Sequence, residues 1–431
     1  MGEGNKESMK RYIATFFFCS FFIILPLAFI DEKTSRISFY LCGYLSLLGI
    51  AINFRECLSS LLTCKIILPL LLISLLYTIW SLLCELISYN AQGTLFTPGK
   101  RWFVAAVISW YAVWLYNHDS AQRALIRRCC IFSLSGTFII ASIYGIWQYI
   151  ETSDRIVFAM NRATGTAYQY SALSLVLIAV TICDRLSLKK QYFIFSSGLL
   201  SIYVVFLTET RSAMVIHTLA VIMLILPVVF KDRKLKSIPL LLIILTLVSI
   251  IYTNWNLISA RYNRTSQEVS LYQHGNDKTS LGARFTMWRV GVMAFINAPL
   301  GETQSSRNEK IVSFLHSERN QNSDALRYLD VHLHNEIIQA GSLFGIFGIY
   351  ILGFFYYTLI FNNGLCKIFL YNPISLLSLS ALLYGLTDVI LTSIEYVVVF
   401  SLLLITSRLA CNEPSICHKK LKCACIDTIC G

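Results

Sequence analysis

The sequence predicts an all-α protein, a polytopic transmembrane bundle of about twelve spanning helices with one large loop outside the cytoplasm. Two observations lead to this fold class. Of the 431 residues, 56% are hydrophobic and only 14% are charged, whereas about a quarter of the residues of a soluble domain carry a charge. The apolar residues are also grouped in segments of about 20 residues, the length that a helix needs to cross a bilayer. Together these observations exclude a single soluble core.

The predicted spans divide the chain into four parts. No small-residue cleavage site follows the first apolar run, so we expect that run to remain as the first span. The spans are predicted at 12–30, 37–53, 65–89, 102–117, 129–150, 168–184, 191–208, 212–230, 237–254, 336–361, 371–389 and 392–410. The parts are an N-terminal bundle of about nine spans over 1–254, a loop with short helices over 255–335, C-terminal spans over 336–410, and a tail over 411–431.

The distribution of basic residues predicts the orientation. If both termini are cytoplasmic, the cytoplasmic loops and tails hold 20 Lys and Arg residues, and the short external loops hold seven. Short cytoplasmic loops are enriched in Lys and Arg in membrane proteins. The net charge of +12 therefore reflects orientation in a membrane, and no nucleic-acid partner is expected.

The segment 255–333 differs from the other predicted loops in its length and polarity. It contains both signs of charge, and loops of this length without structure of their own are uncommon. Within it, residues 284–297 place aromatic and apolar side chains at helical spacing, namely Phe285, Trp288, Val292 and Phe295. This pattern predicts a short helix suited to lying along a membrane surface.

The cysteines indicate reduced thiols. None of the 14 lies in 255–333, where an extracytoplasmic disulfide framework would be expected. The predicted cytoplasmic tail contains several residues of metal-ligand type, namely Cys411, Cys417, His418, Cys423, Cys425 and Cys430. Because their spacing is irregular, an unstructured reduced tail is preferred over a zinc site or a reactive thiol.

Three arginines lie at predicted external positions close to the membrane. Arg162 and Arg211 stand shortly before spans, and Arg284 opens the predicted helix of the long loop. Single arginines at bilayer edges often serve as anchors, but anchoring cations favour the cytoplasmic side. Since a guanidinium pairs with phosphate oxygens through two hydrogen bonds, a cluster of external arginines favours a phosphate or diphosphate ligand.

His334 and Asn335 lie at the predicted external mouth of the span 336–361. On a continuous helix, the glycines at offsets of 7, 11 and 14 from His334 fall within roughly 40° of it. These glycines are Gly341, Gly345 and Gly348. We therefore expect an imidazole above a groove of small residues that receives an isoprenoid chain. The alternative is helix packing through small residues, which explains the glycines but not the histidine.

Neither a metal nor another cofactor is expected. His332 and His334 are two residues apart, which would place them on different sides of a helix, and no Glu or Cys nearby completes a zinc set. The predicted external loops also offer no Asp-x-Asp pair for magnesium.

The histidine segment resembles a known signature. His334-Asn335, nine further residues and Gly345-Ile346-Phe347-Gly348 are similar to the pattern His-[Asn/Ser/Gln]-x9-Gly-x-x-[Gly/Thr/Tyr] of bacterial O-antigen ligases. Those enzymes form a superfamily with O-antigen polymerases and protein O-oligosaccharyltransferases.

Other elements extend the resemblance over the whole chain. The segment 211–215 resembles the family's Arg-x3-Leu element, with Val215 in place of Leu. The order and separation of Arg162, Arg211, Arg284 and His334 resemble the family's essential external set. The predicted span number, the cytoplasmic termini and the single large loop before the histidine helix also agree with the family.

The resemblance implies a reaction, partners and a location. An O-antigen ligase would transfer O-polysaccharide from undecaprenyl diphosphate to a sugar hydroxyl of lipid A–core and so complete lipopolysaccharide, without metal or ATP. The expected partners are the lipid-linked donor, the lipid A–core acceptor and the lipids of the bacterial inner membrane. Both termini would be cytoplasmic, and the active site would be periplasmic.

The expected catalytic roles fall to His334, Arg211 and Arg284. His334 is the predicted general base for the acceptor hydroxyl, because an imidazole can accept a proton near neutral pH. Direct attack by that hydroxyl would invert the anomeric centre. Arg211 and Arg284 are predicted to stabilise negative charge on the diphosphate, with Arg162 in the same cluster.

The remaining predicted site residues would bind or position substrate. Asp388 would orient His334 or contact acceptor sugars, and helix packing is the alternative for it. Asn335, Gly341, Gly345 and Gly348 would line the substrate site.

Three rival functions use a similar membrane bundle. An O-antigen polymerase uses the same donor but often has two large periplasmic loops, where this sequence predicts one. A protein O-oligosaccharyltransferase would usually be longer. A flippase or transporter for lipid-linked sugars needs polar groups or broken helices near the bilayer midplane, whereas the notable charges here lie near the external edge.

Overall fold

The computed structural model describes residues 3–87, 95–160, 162–183, 187–231, 248, 252, 255–318, 323–362 and 371–411. In these residues all regular structure is helical, which confirms the predicted all-α class. The α-helices are α1 (Glu3–Ile30), α2 (Glu32–Ile52), α3 (Phe54–Thr63), α4 (Ile67–Ile87), α5 (Phe96–His118), α6 (Arg123–Thr152), α7 (Ala163–Cys183), α8 (Leu188–Leu207), α9 (Arg211–Lys231), α10 (Trp255–Gln273), α11 (Ser280–Asn297), α12 (Gln304–Ser317), α13 (Glu336–Ile360), α14 (Pro373–Gly385) and α15 (Ile394–Ala410). A 3-10 helix, Asp324–Tyr328, lies between α12 and α13.

Eight of the described helices are long and apolar enough to cross a membrane: α1, α2, α4, α6, α7, α8, α9 and α13. The predicted spans 102–117 and 392–410 are helices α5 and α15, which fall outside this set. The predicted span 371–389 contains α14, which has only 13 residues. The predicted span 237–254 lies outside the described residues, apart from positions 248 and 252. The number of twelve crossings therefore stays a prediction.

Helix α7 forms the centre of the bundle. Its apolar segment is 83% buried, whereas no other candidate span exceeds 50%. It packs against α6, α8, α9, α14 and α15. This burial follows from its sequence, because a helix without a charged face can be surrounded by other helices on all sides. Helix α6 instead leaves one apolar face exposed, with Phe132 81% and Ile150 72% accessible, as expected of a helix in contact with lipid.

The described residues of the predicted long loop, 255–318 and 323–335, are folded, and we call them the capping layer. Helices α10, α11 and α12 and the 3-10 helix make it up, and apolar side chains such as Met287, Ile311 and Leu333 form its own small core. The helix predicted from 284 to 297 is present as α11. It begins one turn earlier than predicted because the Thr279 side chain caps it by accepting a hydrogen bond from the Gly282 amide. The contact of α11 with a membrane surface stays a prediction.

A buried arginine joins the capping layer to α13. Arg307 on α12 is fully buried and donates hydrogen bonds to the side chains of Gln339 and Ser342 and to the carbonyl of Leu329. Burial lowers the pKa of Arg307 to about 10, while the carboxylates of Glu302 and Asp330 act in the opposite direction. The guanidinium therefore remains charged at neutral pH and holds three separate segments together.

The Arg307→Leu variant is expected to loosen the capping layer, because the side chains and carbonyl that it contacts would lose their buried donor. Each unsatisfied partner costs about 1–3 kcal/mol. Tryptic cleavage within 255–335, measured on protein in detergent, should accelerate by about tenfold or more. Arg327→Leu is the matched control, since the Arg327 side chain is 78% exposed in the same layer. Equal cleavage rates for the two variants would refute this account of Arg307.

Candidate functional site

His334 lies just outside a helix rather than within one. Its φ of 51° is in the left-handed region, and α13 begins two residues later at Glu336. The cause is Asn335, whose side-chain oxygen accepts hydrogen bonds from the amides of Ile337 and Ile338 and so caps the helix. The predicted continuous stripe from His334 to the glycines is therefore wrong.

The glycines of α13 differ in their surroundings, and one of them interrupts the helix. Gly345 has a φ of 62° and interrupts the helix. A Cβ atom on Gly345 would lie 2.3 Å from the Pro299 carbonyl oxygen and 2.6 Å from the Gly301 nitrogen. On Gly348 it would lie 2.6 Å from the Phe344 Cβ. The space at Gly345 is thus filled by the turn between α11 and α12, so no groove is open at this glycine. The binding of substrate along Gly341 and Gly348 stays a prediction. At Gly341 a Cβ would only meet side chains at 3.2 Å or more.

Three consecutive residues clamp the loop between α14 and α15. The Nδ1 atom of His334 lies 3.1 Å from an Asp388 carboxylate oxygen. The side-chain amide of Asn335 donates to the Leu386 carbonyl at 2.9 Å. A carboxylate oxygen of Glu336 accepts the backbone amides of Ile390 and Leu391. The segment 334–336 therefore sets the position of Asp388, and both ends of the Asn335 amide are occupied within the protein. The predicted contact of Asn335 with substrate stays a prediction.

The carboxylate of Asp388 determines the tautomer of His334. Burial opposes ionisation of Asp388, but the hydrogen bond from His334 and the nearby histidines outweigh it, and the pKa of Asp388 is lowered. An ionised carboxylate can only accept hydrogen bonds, so Nδ1 of His334 carries the hydrogen. The Nε2 atom of the neutral ring is then left as a proton acceptor.

Two aromatic side chains of the capping layer also contact His334. The Trp288 indole N–H donates to the His334 carbonyl at 3.2 Å. The Tyr328 ring meets the imidazole edge-on, with ring centroids 5.5 Å apart. The sequence had marked Trp288 only as part of an apolar helix face, and nothing in the sequence marked Tyr328. Both residues become visible only once the capping layer is folded over α13.

A second histidine completes a small cluster. The ligand atoms of His332, His334 and Asp388 lie within 4.8 Å of one another, a spacing that could hold a metal ion. The prediction that the two histidines point to different sides of a helix is wrong, because both lie in the loop before α13 and their rings are 4.3 Å apart. A hydrogen bond within the cluster also occupies one ring nitrogen, because the His334 backbone amide donates to Nδ1 of His332. The absence of a metal stays a prediction.

Two of the predicted arginines lie close to this cluster. Burial lowers the pKa of His332 to about 4, and repulsion by Arg162, by Arg284 and by His334 when its ring is protonated acts in the same direction, whereas Asp388 opposes it. Arg162 is exposed and Arg284 is partly buried. Among the residues that the structure describes, neither of these two guanidinium groups forms an ion pair with a carboxylate. Their charge is therefore available to an anionic ligand.

The third predicted arginine has an internal partner. The Arg211 guanidinium contacts both carboxylate oxygens of Glu268, at 3.3 and 3.4 Å, and Arg264 contacts the same carboxylate at 3.1 Å. The Glu268 side chain is only 6% exposed. Burial alone would raise the pKa of Glu268. The hydrogen bond and charge of Arg211, together with hydrogen bonds from the Leu281 amide and from Arg264, outweigh burial, so the pKa of Glu268 is lowered. The sequence analysis missed Glu268, although its spacing of four from Arg264 on α10 was a local signal.

Tyr168 connects the start of α9 to the loop that carries Asp388. Its hydroxyl lies 2.9 Å from the Ser212 hydroxyl and 3.4 Å from the Thr387 hydroxyl. Ser212 follows Arg211, and Thr387 precedes Asp388. Tyr168 thus joins the segment that carries Arg211 to the segment that carries Asp388.

Comparisons with known proteins show similarity to O-antigen ligases. Residues 196–353 match a family model described as O-antigen ligase, a range that includes Arg211, Arg284 and His334. The chain is also 27% identical to the O-antigen ligase of Escherichia coli strain K12 over 409 residues, which cover 93% of this chain and 94% of that protein. Residues 196–353 are therefore similar to the O-antigen ligase family, and almost the whole chain is similar to one such ligase.

Proposed function

We propose that this protein transfers an O-polysaccharide from an undecaprenyl-diphosphate-linked donor to a sugar hydroxyl of lipid A–core. The similarity of the chain to O-antigen ligases supports this reaction class. The observation that carries the proposal is the arrangement around His334. An imidazole with an ionised carboxylate on Nδ1 and an accepting Nε2 belongs to the His332–His334–Asp388 cluster. The charges of Arg162 and Arg284 act on this cluster through His332, and no carboxylate neutralises them in the described residues.

His334 is the proposed general base. Its Nε2 atom takes the proton of the acceptor hydroxyl while the hydroxyl oxygen bonds to the anomeric carbon of the donor. The bond from that carbon to the diphosphate oxygen breaks, and undecaprenyl diphosphate leaves with the bonding electron pair. Asp388 holds the productive tautomer and stabilises the imidazolium as it forms. The proton then passes from His334 to solvent or to the departing diphosphate.

Arg162 and Arg284 are the proposed diphosphate ligands. Negative charge grows on the leaving oxygen as the glycosidic bond breaks, and fixed guanidinium groups stabilise it. Arg211 is proposed to add a third positive charge at the edge of the diphosphate site. Its orientation is set by Glu268, so it would meet the diphosphate in a geometry that is fixed before binding.

The proposed location is the bacterial inner membrane, with cytoplasmic termini and a periplasmic site. The eight apolar helices support membrane insertion. The excess of Lys and Arg in the predicted cytoplasmic loops and tails supports the orientation. Both substrates carry lipid chains, so they would meet by diffusion within the membrane plane. Their positioning in the site should then supply much of the rate.

A reconstituted assay tests the proposal. Purified protein is mixed with lipid-linked O-antigen and rough lipopolysaccharide in EDTA, without ATP, and the products on the two lipids are separated. We expect O-antigen on lipid A–core in wild-type protein and none with His334→Ala. Extension of the lipid-linked donor alone would indicate an O-antigen polymerase, and loss of activity in EDTA that zinc or magnesium restores would assign the His332–His334–Asp388 cluster to a metal.

A further inference from the structure

A polar pocket lies in the capping layer beside the proposed site of transfer. Its volume is about 350 Å³, which is within the range of about 300–1,000 Å³ found for small-molecule sites. Helix α10, the start of α11 and the 3-10 helix form its walls. We propose that this pocket binds one sugar ring of a glycan substrate, an inference that rests on the proposed function and adds a specificity site to it.

The charges of the pocket are balanced. Arg264 and Lys278 each contribute a positive charge, and Glu268 and Asp324 each contribute a negative one. A diphosphate would meet two carboxylates here, whereas Arg162 and Arg284 offer it positive charge without a carboxylate partner in the described residues. A neutral ligand with many hydroxyl groups suits a charge-balanced pocket better than an anion does.

The uncharged lining also suits a sugar. The side-chain amide of Gln267 and the hydroxyl groups of Thr279 and Ser280 can each donate and accept hydrogen bonds. Tyr328 is 40% exposed and offers both an aromatic surface and a phenol hydroxyl. An isoprenoid or acyl chain would leave these polar groups without partners, which is costly.

The pocket touches both halves of the proposed catalytic site. On one wall, Glu268 contacts the Arg211 guanidinium. On another wall, Tyr328 packs edge-on against the His334 imidazole. A sugar ring held between these walls lies next to the diphosphate site on one side and next to the base on the other. This is where the donor's reducing-end sugar or the acceptor's terminal sugar has to be held for transfer.

Two substitutions in the pocket test the inference. Ser280→Trp fills the pocket from its exposed edge, and Gln267→Ala removes one hydrogen-bonding group without adding bulk. Gln273→Ala and Ser270→Trp are matched controls on α10, because both residues are exposed and neither lines the pocket. The turnover number and the KM values for lipid-linked donor and for lipid A–core are measured separately.

We expect Ser280→Trp to raise one of the two KM values by about tenfold and Gln267→Ala to raise the same one by about threefold, with turnover changed less than about twofold. The substrate whose KM rises is the one whose sugar occupies the pocket. Unchanged KM values in both variants, or a loss of turnover alone, would overturn the inference. Gln267→Ala keeps the test decisive if Ser280→Trp does not fold.

A binding measurement separates this inference from the proposed function. Core oligosaccharide and O-antigen repeat oligosaccharide, both freed of lipid, are titrated into purified wild-type protein and Ser280→Trp in detergent. Binding that Ser280→Trp weakens, in a protein that transfers no glycan, would refute the function and retain the pocket. Transfer by wild-type protein with equal binding and equal KM values in the variant would refute the pocket and retain the function.

Discussion

Replacement of Asp388 with Asn is expected to lower the turnover number of glycan transfer by about a hundredfold to ten-thousandfold. The carboxylate accepts the Nδ1 hydrogen of His334, and its charge stabilises the imidazolium. An asparagine can present its NH2 group to Nδ1 instead, which moves the ring hydrogen to Nε2 and removes the base. It also removes the negative charge that the protonated ring requires.

The control for Asp388→Asn is Asp330→Asn, an exposed carboxylate of the capping layer that bonds to Asn308. Tryptic cleavage rates show whether either variant loosens the fold. If Asp388→Asn turned over within about twofold of wild type, the proposed pairing of Asp388 with a catalytic His334 would be abandoned.

Because the pKa of Asp388 is lowered, we expect its carboxylate to stay ionised at mildly acidic pH. The stabilisation from this charge is present above the ordinary carboxyl pKa and is lost only as the pH falls through the lowered value.

The second large effect is expected from the two arginines without a carboxylate partner in the described residues. Arg162→Ala and Arg284→Ala should each lower kcat/KM for the lipid-linked donor by about tenfold to a hundredfold, since a hydrogen bond to a charged group contributes about 1.5–3 kcal/mol. The double variant should lose more than either single variant. Arg284→Lys should recover only part of the activity, because an ammonium lacks the planar pair of N–H donors with which a guanidinium matches two phosphate oxygens.

Arg327→Ala is the control for charge, because the Arg327 side chain is 78% exposed in the same layer and pairs with the Asp324 carboxylate. The KM for lipid A–core should change little in the arginine variants. A rise in that KM with an unchanged KM for the donor would place Arg162 and Arg284 at the acceptor and contradict the proposed diphosphate site.

Several features of the fold followed from local sequence. The apolar segments predicted an all-α membrane bundle, and the spacing of Phe285, Trp288 and Val292 predicted helix α11 to within one turn. The start of α13 was also readable, because Asn335 is a strong helix cap and Glu336 is an acid in the first turn. The predicted glycine stripe instead assumed helical geometry from His334 onward, although the helix begins at Glu336.

Contacts between distant residues left no local signal. The turn at 299–301 fills the space at Gly345 only after the capping layer has folded onto α13. The pairing of Arg211 with Glu268 joins residues 57 positions apart, and the burial of Arg307 depends on Gln339 and Ser342 of another helix. The proximity of Asp388 to His334 was suggested by topology alone, because both were predicted at the external ends of neighbouring spans. The distance between the His334 ring and the Asp388 carboxylate could not be predicted, because it depends on the contacts of residues 334–336 with the loop between α14 and α15.

The most direct test of the central claim is the stereochemistry of the linkage that the wild-type protein forms. His334 as a general base in a single displacement predicts that the anomeric configuration at the transferred sugar is inverted relative to the lipid-linked donor. One-bond carbon–hydrogen coupling constants at that anomeric carbon, measured by NMR on donor and on ligated product, report the two configurations. Inversion is the predicted result. Retention would mean a covalent glycosyl intermediate, with His334 or another group as the nucleophile, and would contradict the account.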